Sequence, residues 1–182
     1  PSPGRHMVLN SLAAVAVGDY LGLDGVQIAR GIANFIPSGM RNMTIETAGG
    51  IRIIADCYNA NPESMKAALE TLSLADGRTI AVLGDMFELG ENSAAMHYGA
   101  GQAAAELCID VIICVGKAAE DIYEGAFGQH SKGASNSQII YFETKSVCIG
   151  QMPHIVQPRD TVLVKASRGM QFEDIVTSLE RL

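Results

Sequence analysis

The chain has 182 residues, 48% of them hydrophobic and 18% charged, enough for one core domain and part of another. Its formal net charge of −7 repels nucleic-acid phosphates, and no run is long and apolar enough to cross a bilayer, so neither a nucleic-acid partner nor membrane insertion is expected. The four cysteines lack CxxC spacing, which fits a reducing cytoplasm better than a disulfide framework.

Pro1 to Arg5 carry no apolar signal region and read as a chain entered in mid-protein. Met7 to Leu21 is rich in Ala and Val and reads as a buried helix. Asp24 caps a shorter helix to about Phe35, ended by Ile36-Pro37-Ser38-Gly39. Two β-prone runs, Met43 to Thr47 and Ile51 to Asp56, flank a Gly pair and predict a hairpin. Helices are then expected over Pro62 to Ala75, Ser93 to Leu107, up to about Phe127, from Lys145, and over Phe172 to Leu182. Between them lie apolar runs at Arg78 to Gly84, Val111 to Gly116, Ile139 to Phe142 and Thr161 to Lys165, with a polar loop at Gln129 to Ser137.

Strands that are apolar throughout, alternating with helices, predict an α/β fold: a Rossmann-like, mostly parallel sheet with helices on both faces and an N-terminal β-hairpin. A short helical tail precedes it, with the boundary between Pro37 and Asn42. In open α/β sheets, ligands bind beyond the carboxyl ends of the strands. The corners at Leu83-Gly84-Asp85, Val115-Gly116-Lys117 and Lys165-Ala166-Ser167 are therefore the first candidates.

Four motifs stand out. Gly99-Ala100-Gly101 mimics a dinucleotide loop but sits inside a helical stretch, so its reading is structural. No GxxxxGK followed by Ser or Thr occurs to cradle a triphosphate. Asp56 to Met65 is the densest polar cluster, between a strand and a helix start. Capping explains Asn61 and Pro62 there, but not Asp56 and Asn59. Asp85, Glu88 and His97 form a weak metal signal, with capping acids and a surface histidine as the better reading. Lys165, Ser167 and Arg168 place two cations and a hydroxyl at a strand tip, suited to a carboxylate or phosphate. The alternative there is a turn in which Gly169 supplies a positive φ. His130 and His154 read as surface residues.

Several blocks, in order along the chain, resemble the Mur ligase family. Gly4-Arg5-His6-Met7-Val8-Leu9-Asn10-Ser11-Leu12-Ala13-Ala14 resembles G-x-H-N-x-x-N-x-L-A-A. Pro37-Ser38-Gly39-Met40-Arg41 resembles P-x-x-x-R, and Asp56-Cys57-Tyr58-Asn59-Ala60-Asn61-Pro62-Glu63-Ser64-Met65 resembles D-S-Y-N-A-N-P-D-S-M. Val82 to Gly90 with His97 resembles V-L-G-D-M-x-E-L-G…H, and Lys165-Ala166-Ser167-Arg168-Gly169-Met170 resembles K-G-S-R-G-M. Met7, Ala55 and Ala166 depart from the family's usual Asn, Asp and Gly.

The resemblance implies part of an ATP-dependent amide ligase of peptidoglycan precursor synthesis, acting as a cytoplasmic monomer. ATP phosphorylates the carboxylate of UDP-N-acetylmuramoyl tripeptide, and an amine attacks the acyl phosphate. Within the family, the Tyr58-Asn59-Ala60-Asn61 block implies D-alanyl-D-alanine as that amine. By position, Asn10 would contact adenine, Arg41 the ATP phosphates and Asp56 the ribose, while Asn59, Asn61, Lys165, Ser167 and Arg168 would line the amine site. No catalytic residue or metal ligand is assigned here; the phosphate loop and the Mg2+ ligands are expected upstream. Residues 1–40 would be the tail of a central ATP-binding domain, and 41–182 the family's C-terminal domain. Two other readings remain: a free-standing ligand-binding α/β module, or a family member using a different amine.

Overall fold

Period-2 apolar alternation and continuous apolar runs give the chain its sheet, and capped helices return it from strand to strand. The computed structural model describes residues 5–36 and 39–182. The expected boundary residues Pro37 and Ser38, and Gly4 at the head of the first motif, lie outside the described residues. The chain divides into two compact units, Pro1–Ser38 and Gly39–Leu182.

In the first unit, α1 (Arg5–Tyr20) is followed by α2 (Gly25–Ala33). Asp24 caps α2 by accepting from the Gln27 N–H (2.8 Å), while its own N–H donates to the Gln27 side chain (2.9 Å). Gly18 is buried against Ile28, where a Cβ would come within 2.8 Å of that side chain. The expectation that the first helix is buried is overturned. Val8, Leu9, Leu12 and Val17 are more than half exposed in this chain, because two short helices can cover only one face of each other.

The second unit follows the predicted alternation: β1 (Met43–Glu46), β2 (Arg52–Ala55), α3 (Pro62–Leu72), β3 (Thr79–Gly84), α4 (Ser93–Glu106), β4 (Val111–Val115), α5 (Ala119–Ser131), β5 (Gln138–Phe142), α6 (Lys145–Ile155), β6 (Thr161–Lys165) and α7 (Glu173–Leu179). The sheet order is β1-β2-β6-β3-β4-β5. Only β1 is antiparallel, paired to β2 across the Gly49-Gly50 turn. Alternate strand residues feed two cores. Ile53, Ile80, Ile113, Val162 and Val164 pack with α6 and α7 through Met152, Ile175 and Leu179. Ile54, Ala81, Leu83, Ile112 and Leu163 pack with α3, α4 and α5 through Met65, Leu69, Ala104 and Ile122. Burying each Ile, Leu or Val contributes about 1.5–3 kcal/mol before entropy is counted. The expected α/β sheet with both faces covered is therefore observed.

Two details differ. Helix α5 runs on to Ser131, which shortens the expected polar loop. The positive φ after β6 belongs to Gln171 (52°), not Gly169, whose place in the turn is set by contact with the Phe87 ring. Gly99 and Gly101 lie in α4, as the structural reading requires. A Cβ on Gly101 would collide with the Ile122 carbonyl of α5, and one on Gly125 with the Tyr98 carbonyl of α4. Among the described residues, no helix is long and apolar enough to cross a membrane.

Candidate functional site

Because β2, β6 and β3 are adjacent and parallel, their carboxyl ends deliver Asp56, Lys165 and Asp85 to one edge of the sheet. Asp56 extends the ladder, its N–H donating to the Val164 carbonyl (2.9 Å). Lys165 is the last residue of β6, and its side chain is 1% exposed. An ammonium this deeply buried needs a counter-charge. Asp56 Oδ2 supplies it at 2.5 Å from Nζ, and the Asn59 carbonyl accepts a second bond from Nζ (3.2 Å). Asp56 Oδ1 accepts from the Asn42 N–H (3.1 Å). The Asp56 carboxylate is a fifth exposed, so it retains lone pairs for a diol or another donor.

The segment entering β1 is held to this corner. The Tyr58 N–H donates to the Met40 carbonyl (3.1 Å), and the Arg41 guanidinium lies 3.8 Å from the Tyr58 ring centroid. Arg168, just after β6, places its guanidinium 5.7 Å from the same ring and pairs with Glu173 at the start of α7. Arg41 has no ion pair among the described residues. An acidic chain thus presents two exposed guanidinium groups around one aromatic ring.

The remaining candidate residues divide into exposed and committed groups. Asn59 is exposed, with its Oδ1 accepting from the Ala60 N–H (2.9 Å). Asn61 is the N-cap of α3, in a reciprocal box with Ser64. Its amide oxygen is therefore engaged, as the capping reading required. Ser167 is 2% exposed. Its hydroxyl accepts from the Phe87 N–H (2.8 Å) and donates to the Ala60 carbonyl (3.5 Å), stitching three corners together. Asn10 belongs to the first unit, where it lines an open, mostly apolar groove of about 340 Å³ with Met7, Ala14, Ile32 and Phe35. Its side-chain amide lies 4.0 Å from the Met7 sulfur.

At the β3 corner, Asp85 Oδ1 accepts from the Ala119 N–H (2.8 Å) and so caps the neighbouring helix α5. Only glycine fits at position 116, which has φ 121° and abuts the Asp85 carboxylate. The surface reading of His97 is overturned, since its exposure is 0%. Nδ1 donates to the Ser93 carbonyl and Nε2 accepts from the Met86 N–H, both at 2.8 Å, which fixes the tautomer and secures the turn after β3. No group of three His, Cys, Asp or Glu among the described residues could hold a metal ion. His130 and His154 are exposed, as expected. All four cysteines are free. Burial, with a smaller push from the Glu173 charge, raises the Cys57 thiol to about 12, so it stays protonated beside Asp56.

Sequence reasoning missed Tyr58 as the hub of the two cations, Asn42 as a donor to Asp56, and Glu173 as the anchor of Arg168. Tyr58 lay inside the quoted block, but its contacts join residues 17 and 110 positions apart from it, and no local pattern encodes that.

Residues 40–168 match the family described as "Mur ligase, glutamate ligase domain". The UDP-N-acetylmuramoyl-tripeptide--D-alanyl-D-alanine ligase of Bacillus subtilis is 35% identical over 181 residues, covering 98% of this chain and 39% of that protein. A crystal structure of MurF from Acinetobacter baumannii superposes with a TM-score of 0.86 at 31% identity, covering 98% of this chain and 38% of that one. The MurF ligase of Thermotoga maritima in complex with ADP superposes at 0.81 with 25% identity, covering 99% and 39%. The chain thus spans well under half the length of the relatives it matches.

Proposed function

Because the chain belongs to the Mur ligase family, we propose that it is the C-terminal part of an ATP-dependent ligase that adds D-alanyl-D-alanine to UDP-N-acetylmuramoyl tripeptide in the cytoplasm. Residues 1–40 are then the tail of a central ATP-binding domain, and 41–182 the C-terminal domain. The observation that carries the reading is the Asp56–Lys165 pair where β2 and β6 end, with Arg41, which has no ion pair among the described residues, directly preceding the Asp56 contact at Asn42. The relatives' names supply the substrate class.

A carboxylate is a poor acyl donor at neutral pH, so ATP must first turn the tripeptide carboxylate into an acyl phosphate. The dipeptide amine then displaces phosphate to give the amide. In this scheme Asp56, an acceptor-only group, receives the ribose hydroxyls. Arg41 offers its unused N–H donors to the phosphates and offsets charge as the phosphoryl group moves. Asn10 is assigned to adenine by its place in the motif. Asn59 and Arg168 face the amine substrate, and Arg168 is the cation available to the dipeptide carboxylate. Lys165 holds Asp56 and the Asn59 carbonyl in place, while Ser167 and Asn61 shape the surrounding turns. Mg2+ would offset phosphate charge, but no described cluster here fits it, so no step is assigned to it.

The test is phosphate release by the full-length protein that carries this chain. It is given ATP, UDP-N-acetylmuramoyl tripeptide and, in turn, D-alanyl-D-alanine, D-glutamate or a diamino acid. Release is expected with D-alanyl-D-alanine alone. No release with that amine would sink the proposal, and release with another amine instead would reassign the substrate.

A further inference from the structure

We propose that Tyr58 is a positioning residue, its exposed ring orienting the Arg41 guanidinium for a phosphate group. Three features fix the arrangement. Tyr58 is 40% exposed just beyond the carboxyl end of β2, with its Cδ2 3.7 Å from where a Cβ on Gly39 would lie. The Tyr58 N–H bonds to the Met40 carbonyl, which sets the register between the ring and the next residue, Arg41. The Arg41 guanidinium then stacks 3.8 Å from the ring centroid.

An arginine on an exposed turn without a carboxylate partner samples many rotamers, and an anion must gather it from all of them. Stacking on an aromatic face restrains the planar group while leaving its N–H edges free, because the ring uses the face of the guanidinium and not its donors. A carboxylate partner would instead occupy part of that donor edge, as Glu173 does at Nη1 of Arg168 while leaving its other N–H groups free of an ion pair. The ring also sits within 5.7 Å of Arg168, so one aromatic surface sets the spacing of two like charges that would otherwise drift apart. The Tyr58 hydroxyl plays no part in this, since the work is done by the ring face.

This role rests on the reading of Arg41 as a phosphate contact, and the test separates the two. In the full-length enzyme, KM for ATP and kcat are measured for Tyr58→Leu, Tyr58→Phe, Arg41→Ala and the double variant Arg41→Ala/Tyr58→Leu, with unfolding midpoints checked for each. Tyr58→Leu is expected to raise KM for ATP about two- to fivefold, the size of an exposed cation–π contact, with kcat little changed. Tyr58→Phe is expected to restore KM, and Tyr58→Leu to add nothing in the Arg41→Ala background. If Arg41→Ala raises KM but Tyr58→Leu does not, or if the two effects simply add, the positioning role is wrong while the phosphate reading stands. If Arg41→Ala leaves KM unchanged, the phosphate reading falls and this role falls with it.

Discussion

Asp56 and Lys165 share one ion pair but do not share its environment. The lysine side chain is 1% exposed and the aspartate side chain 20%, and Asp56 keeps a second bond from the Asn42 N–H. Removing one partner of a buried pair leaves the other uncompensated, and the loss scales with how deeply the survivor is buried. Asp56→Ala strands the ammonium and is expected to destabilise the chain by about 3–5 kcal/mol. Lys165→Met fills the same volume and leaves a carboxylate that water can reach, with an expected loss of about 1–2 kcal/mol. Urea unfolding of both variants checks this, and equal losses, or a larger one for Lys165→Met, would contradict the burial argument. The two residues were legible in the sequence as polar groups at strand tips. Their pairing was not, because 109 positions separate them and only the adjacency of β2 and β6 brings them together. His97 was misread for the same reason: its partner, the Met86 N–H, lies in the turn after another element, and a histidine satisfied on both nitrogens can be buried.

Among the elements, α4 and α5 approach closely through Gly101 and Gly125, the first of which the sequence could only exclude from a dinucleotide loop. Their backbones touch at Gly101 against Ile122 and at Gly125 against Tyr98. Gly101→Ala gains helix propensity but forces the two helices apart, and the surrounding core is close-packed. An expected net loss of about 3 kcal/mol follows, read as a lower denaturation midpoint. Gly99→Ala, on the same helix with open space at its Cβ, is expected to be neutral or slightly stabilising. Similar losses at both positions would show that helix spacing is not set by Gly101. Strand and helix identities were legible because the apolar runs of β3, β4 and β6 and the cap at Asn61 are local signals. The insertion of β6 between β2 and β3 had no local signal, yet it is what builds the site.

At the scale of the whole molecule, the two units differ in how completely they satisfy their own sequence. The second unit buries its apolar strands on both faces. The first leaves Val8, Leu9, Leu12, Val17 and Tyr20 largely exposed in this chain, so an Ala- and Val-rich helix does not by itself establish burial. The proposed ribose contact lies in the second unit, at Asp56. Its most direct test is KM for ATP in the full-length enzyme carrying Asp56→Asn, which keeps the side-chain size and removes the charge. The assay is run below the variant's unfolding midpoint, with UDP-N-acetylmuramoyl tripeptide and D-alanyl-D-alanine saturating. Losing a charge-assisted acceptor is expected to raise KM for ATP by at least about tenfold. A folded variant whose KM for ATP equals that of the unsubstituted enzyme would contradict the assignment.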